Sequence, residues 1–102
     1  MKSSLSSKDF KKVYNNSKKM NAGAILFIHS NILKKAGIGF LVSRKYGNAV
    51  QRNLFKRRCR ALYKNFNFKN KKASVIIRPL IKNVSFAKLN RDFKKLLEVF
   101  PS

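Results

Sequence analysis

Between Gly47 and Asn65 the chain reads GNAVQRNLFKRRCRALYKN, a stretch that carries Arg52, Lys56, Arg57, Arg58, Arg60 and Lys64 and no acid. No Asp or Glu occurs anywhere from Asn31 to Arg91. An exposed helical face usually mixes Glu with Lys, because opposite charges one turn apart attract. A face of cations alone repels itself and is stabilised by an anion from outside. Arg outnumbers Lys here, and its planar fork suits paired hydrogen bonds to phosphate. The chemistry these residues offer is polyanion binding.

Self-contained catalysis has little to work with. The acids are Asp9, Asp92 and Glu98, and the last two stand six apart, which is not a one-face helical spacing. No carboxylate pair for acid–base or two-metal chemistry is evident. A single His29 and a single Cys59 exclude an intramolecular disulfide and cannot close a four-ligand zinc site. His29 lies in an apolar run and reads as a buried or strand-edge histidine. Cys59 reads as a buried structural thiol, although the neighbouring cations would activate it if it were exposed.

With 25 Lys and Arg against three acids, the formal charge is +22. Self-repulsion on that scale calls for a polyanionic partner. Nucleic acid leads, since basic side chains displace its condensed counterions, and an anionic membrane surface is second. No apolar run approaches the roughly 18 residues of a spanning helix, and the N-terminus has no apolar signal region. The expectation is a cytoplasmic protein with no membrane partner. A chain of 102 residues that is 44% hydrophobic, with nine Phe and three Tyr, is expected to fold as one domain, 1–102, rather than remain a disordered basic tail.

The elements that must position these residues follow from hydrophobic spacing. LSSKDFKKVY predicts a first helix, with Ser6 as N-cap, Asp9 at the third helical position, and Leu5 and Phe10 placed as a hydrophobic staple. Phe10, Val13 and Tyr14 share one face, as core residues or as a binding stripe. AGAILFIHS and KKAGIGFLVS predict two antiparallel strands in a hairpin or meander. In the second, Ile38, Phe40 and Val42 alternate with Gly37, Gly39, Leu41 and Ser43, so the glycine face is low and something can approach it closely, a helix or a ligand.

Asn48 is a good N-cap for a helix of about five turns. Phe55, Cys59, Leu62 and Phe66 form one apolar stripe, Val50, Leu54 and Ala61 a second, with Arg58 on the seam and the other cations on the remaining arc. ASVIIRP predicts a third strand ended by Pro79. From Ser85 a last helix carries Phe86, Leu89, Phe93, Leu96, Leu97 and Phe100 as its core stripe, with Pro101 beyond. The expected fold class is α+β, with order α-β-β-α-β-α.

The stretch SRKYGNAVQRNLFKRRCR, Ser43 to Arg60, closely resembles the signature of the bacterial ribonuclease P protein component. In that family a strand leads into an Asn-capped helix carrying an Arg-Asn-Arg block. Arg52 and Asn53 match the opening pair, and Lys56, Arg57 and Arg60 the cations that follow. SSKDFKKVY resembles the family's first helix, and the element order agrees over nearly the whole chain. Tyr46 stands where the family more often has a small or aliphatic residue, and Cys59 replaces an aliphatic one.

The resemblance implies a small sandwich of a central β-sheet with helices, including a left-handed β-α-β crossover that sequence pattern alone would not suggest. It further implies a protein inactive alone that assists a catalytic RNA in removing the 5′ leader of precursor tRNA. Its partners would be ribonuclease P RNA and precursor tRNA, without an obligatory protein partner, and Mg²⁺ would act with the RNA. By the same resemblance, Arg52, Asn53, Lys56, Arg57 and Arg60 would contact the RNA subunit, and Phe10, Tyr14, Phe27 and Arg78 the leader. A one-residue shift of register would substitute Ile28 for Phe27. Two other readings share the charge pattern: a ribosomal or chaperone-like RNA binder, and a basic nuclease that would cut RNA unaided.

Overall fold

β4 (Ser74–Pro79) carries three consecutive apolar residues, Val75, Ile76 and Ile77, and all three are buried. A strand covered on both faces belongs in the middle of a sheet. The computed structural model, which describes residues 4–100, places it there. The sheet order is β1 (Lys18–Asn21), β2 (Ile25–Ser30), β4, β3 (Ile38–Phe40). β2 runs antiparallel to both β1 and β4, whereas β3 is parallel to β4. Helices α1 (Ser7–Asn15), α2 (Ala49–Asn65) and α3 (Phe86–Leu97) complete the fold, with a 3-10 turn over Arg44–Tyr46 leading into α2.

Two of these pairings correct the sequence reading. The two glycine- and isoleucine-rich segments do not form a hairpin, because β4 inserts between them. The hairpin partner of β2 is instead β1, Lys-Lys-Met-Asn, which no strand pattern announces. An edge strand needs little apolar surface, and lysines are common on such edges. Parallel β3 and β4 are joined through α2, so the basic helix is the crossover connection. At the outer edge of β3, the Leu5 N–H donates to the Ile38 carbonyl at 2.9 Å, and Ser4 bridges to the same residue.

The sheet separates two apolar clusters. On one side Val13 of α1 packs with Ile28, Leu33 and Ile76, flanked by Leu5 and Phe10. On the other, Phe27, Ile38, Val75 and Ile77 pack against Phe55, Cys59, Leu62 and Tyr63 of α2 and Leu89, Phe93 and Leu96 of α3. Ser6 caps α1 by accepting the Asp9 N–H at 3.2 Å. Asn48 caps α2 within a reciprocal box: its side chain accepts the Gln51 N–H at 2.9 Å, and the Gln51 side chain accepts the Asn48 N–H at 2.8 Å.

The helices bury narrower arcs than their apolar residues suggest. In α2 the Phe55 stripe is covered and Tyr63 joins it, but Val50 is 77% exposed and Ala61 is exposed. A helix on the outside of a sheet meets core along one stripe only. In α3 Phe86 is 47% exposed, because the first turn overhangs the core, while Asp92 is fully buried. Pro101, expected beyond α3, lies outside the described residues.

Asp92 is the polar anchor of this layer. Its Oδ2 accepts the Ala24 and Ile25 N–H groups at 2.9 and 3.1 Å, and its Oδ1 accepts from Arg91 Nε at 3.1 Å. The tie holds the β1–β2 turn, where Gly23 adopts φ +119°, a conformation that disfavours any side chain. Lys95 Nζ donates to the Ala22 carbonyl at 2.9 Å, so α3 grips both ends of that turn.

Asp92→Ala leaves two buried N–H groups without an acceptor. It is expected to lower the unfolding free energy by about 2–4 kcal/mol, measured by urea titration followed by circular dichroism. His29 is buried edge-on against Phe100 at 5.1 Å, and burial, reinforced by the charge of Lys18, lowers its pKa below the ordinary 6.5. The unfolded chain therefore takes up this proton first, and stability falls as pH drops below 6.5 toward the folded value. In His29→Phe that part of the pH dependence is expected to vanish, read from urea titrations at successive pH values.

Candidate nucleic-acid interface

Two surfaces with different chemistry lie on opposite layers of the sheet. The first is the outer face of α2. Arg52, Lys56 and Arg60 follow one another at four-residue steps and form one row, with Asn53, Arg57 and Lys64 in the row beside it. The row from Arg52 to Arg60 spans about 12 Å of helix, enough to meet more than one phosphate. Asn53, Arg57 and Arg60 are exposed, whereas Arg52 and Lys56 are half-buried.

Arg52 donates from Nη1 to the Gly47 carbonyl at 2.7 Å, which fixes the guanidinium against the entrance of the helix and leaves its other donors free of that bond. Arg60 lies over the Phe40 ring at 5.1 Å, a cation–π contact that orients it from the sheet edge. The one ion pair among the described residues is Arg91 with Asp92, so α2 carries its charge unneutralised. All five sequence-predicted contact residues of this group stand on one helix.

The second surface is the cleft between α1 and the sheet. The Phe10 and Tyr14 rings lie nearly parallel, 10° apart in plane with centroids at 6.5 Å, and Tyr14 is 42% exposed. Lys19 Nζ stands 5.6 Å from the Tyr14 ring centre. Lys11, Asn15 and Leu41 complete a shallow cleft of about 260 Å³. Gly39 is what lets Phe10 sit this low: a Cβ there would stand 2.8 Å from Phe10 Cδ2 and 3.3 Å from Leu5 Cδ1. The close approach to the glycine face is thus made by α1 itself.

Arg78 is exposed on β4 and points to the same side as Ile76, two residues before it, so it shares the α1 face with Phe10 and Tyr14. Phe27 does not. Its side chain is fully buried on the opposite face, edge-on to Phe93 at 5.1 Å, because strand alternation sends Ile28 toward α1. Ile28 is itself covered by Val13, and no β2 aromatic reaches the cleft. In its place the cleft has Lys19 and Leu41. Lys19 was hidden by the unpatterned edge strand, whereas Leu41 was legible from its alternation with Gly39.

Other reactive groups are withdrawn from both surfaces. Burial under α2 raises the Cys59 thiol far above its ordinary pKa, despite Arg60 beside it. Among the described residues no three His, Cys, Asp or Glu side chains come together as metal ligands. No helix among them is long and apolar enough to cross a membrane.

Comparison with known proteins decides the kinship of this arrangement. The profile of the family described as Ribonuclease P matches residues 3–100, nearly the whole chain. The chain belongs to the ribonuclease P protein family. A ribonuclease P protein component from Phytoplasma australiense is 40% identical over 57 residues, a stretch that covers 53% of this chain and half the length of that relative. The ribonuclease P protein from Thermotoga maritima superposes with a TM-score of 0.74 at 21% identity, over 97% of this chain and 98% of the other. That from Staphylococcus aureus superposes equally well, at 0.74 and 21%, over 95% of each. Ribonuclease P proteins therefore share this fold at low sequence identity.

The Gly39–Phe10 contact generates a test of the cleft. Gly39→Val is expected to push Phe10 off its seat, destabilising the fold by about 1–3 kcal/mol. It should also weaken binding of a single-stranded oligonucleotide, measured by fluorescence anisotropy at a temperature where the variant remains folded. Unchanged anisotropy would mean that the ring pair is not a base platform.

Proposed function

We propose that this chain is the protein subunit of a ribonuclease P ribonucleoprotein, which assists a catalytic RNA in cutting the 5′ leader from precursor tRNA. The observation that carries the proposal is the pairing of two distinct surfaces within a chain of this family. α2 presents an unneutralised cationic row suited to folded RNA, and the α1 cleft presents parallel aromatic rings suited to unpaired bases. Base–aromatic stacking tolerates any sequence, which a subunit serving many precursor tRNAs requires.

In this reading Arg52, Asn53, Lys56, Arg57 and Arg60 bind the RNA subunit. Phe10 and Tyr14 stack leader bases, and Arg78 pairs with a leader phosphate. Holding the leader favours precursor over mature tRNA, since the mature product has nothing to place in the cleft. Among the described residues no three His, Cys, Asp or Glu side chains gather as ligands for Mg²⁺, and Asp92 is engaged inside the fold. Mg²⁺ then belongs with the RNA phosphates, and the cations of α2 help it bind by reducing their mutual repulsion. The work would take place in the cytoplasm, beside newly made tRNA precursors.

The test is cleavage of labelled precursor tRNA at low Mg²⁺ by the protein alone, by a matched ribonuclease P RNA alone, and by the two together. Correct 5′ processing is expected only in the mixture. Equal activity with and without protein would leave a general RNA binder as the better reading, and cleavage by the protein alone would favour a nuclease. Phe10→Ala is expected to reduce the preference for precursor over mature tRNA by about tenfold, and Arg52→Ala to weaken the RNA-subunit complex while circular dichroism stays native. If about five phosphates are contacted, log affinity should fall with log salt at a slope near −3.5.

A further inference from the structure

The amino-terminal ends of the parallel strands carry a feature that neither the cleft nor the Arg52–Arg60 row uses. Two loops meet there, residues 31–37 before β3 and the turns over residues 66–73 before β4. The Val75 N–H donates to the Gly37 carbonyl at 3.0 Å, and the Gly37 N–H to the Ser74 hydroxyl at 3.3 Å, so the loops are tied side by side. Lys35 and Lys72 each stand three residues before the Ile38–Val75 pair of the parallel register, and two like charges enter the sheet at one level. Lys34 adjoins the first, and Lys64 occupies the last turn of α2. All four lysines are exposed, and neither loop contains an acid.

The second loop is closed by its own bonds. The Phe68 N–H donates to the Tyr63 carbonyl at 3.2 Å, the Ala73 N–H to the Phe68 carbonyl at 3.1 Å, and the Tyr63 hydroxyl to the Ala73 carbonyl at 2.8 Å. Tyr63 and Phe68 are buried and stacked, and Phe66 packs edge-on against Phe68. The rings are thus committed to the core, and the surface offers charge without a stacking platform.

One backbone angle sets this end apart. Lys72 adopts φ +57°, whereas the other described non-glycine residues with positive φ are Asn67 and Asn83, a residue type that tolerates it. Asn or Gly would suit the turn at position 72 better, so local structure does not account for a lysine there. Strain retained at one position points to a use for its side chain.

Charge without rings selects phosphates over bases. Lysine ammonium groups are compact and rotatable, and meet phosphates without the paired geometry that Arg favours. A duplex turns its bases inward and presents its backbone, and RNA duplexes are recognised largely by shape and phosphate contacts. The 17 residues of α2 span about 25 Å and end at this lysine cluster. A duplex seated along the α2 row therefore reaches the cluster without leaving cationic surface.

We propose that Lys34, Lys35, Lys64 and Lys72 grip the phosphate backbone of a helical segment of the RNA subunit, at the end of the sheet where β3 and β4 begin. The inference rests on the RNA-subunit reading of α2 and extends that contact beyond Arg60.

The test measures affinity for a matched ribonuclease P RNA at several salt concentrations, for the unaltered protein and for two double variants that lose equal charge. Lys35→Gln with Lys72→Gly strips this end, and glycine at position 72 relieves the backbone, so circular dichroism should stay native. Lys88→Gln with Lys94→Gln removes two exposed lysines of α3. The first pair is expected to make the slope of log affinity against log salt shallower by about 1.5, and the second to leave it unchanged. A plain RNA duplex should show the same contrast, and a single-stranded oligonucleotide held in the α1 cleft should not. Equal slopes for the two variants, or a contrast seen on the single strand alone, would overturn the lysine grip, while a weakened complex in Arg52→Ala would keep the α2 reading standing. Equal slopes together with an Arg52→Ala variant that binds normally would overturn both.

Discussion

Burial of β4 on both faces is the constraint on which the rest of the molecule depends. Ile76 needs a cover on one side, and Val75 and Ile77 need one on the other, so a single helix layer would not suffice. α1 supplies the first cover, and α2 with α3 the second. Because β4 must also lie parallel to β3, the chain between them has to cross the sheet, and α2 is the segment that does so. The basic helix is thus fixed by the same requirement that closes the core. Its apolar stripe is spent on the sheet, and its cations are left outside.

The same economy governs the acids. With so few in the chain, full burial of Asp92 removes one of them from the surface electrostatics, where its partner is the adjacent Arg91. The carboxylate organises the β1–β2 turn instead. A charge with this many hydrogen bonds is tolerated inside, whereas an unpaired one would not be. Outside, among the described residues, the cations of α2 have no ion-pair partner, and their mutual repulsion stands unrelieved by the fold itself.

The helices and their caps were legible from sequence because their signals are local. Ser6 and Asn48, expected as N-caps, each cap a helix in the structure, and Ser85, where the last periodic run starts, caps the third. The placement of Arg52, Asn53, Lys56, Arg57 and Arg60 on one capped helix was legible because the run after Asn48 is unbroken by Gly or Pro. Strand neighbours were not, since pairing is a long-range choice: β2 and β3 lie close in sequence, yet β4 separates them. Phe27 shows the same weakness at one residue. Strand faces alternate with a period of two, so one step decides between cleft and core, and composition cannot say which. Asp92 escaped notice because its partners, Ala24 and Ile25, are backbone groups 68 and 67 residues away.

The two outer strands end the sheet in different ways. β1 carries Lys18 and Lys19 along its length, and the free edge of β3 is occupied by Ser4 and Leu5 from the chain's own start. Neither side offers a neutral, unpaired row of backbone groups to a stranger. Borders of this kind discourage extension of the sheet into a neighbouring copy.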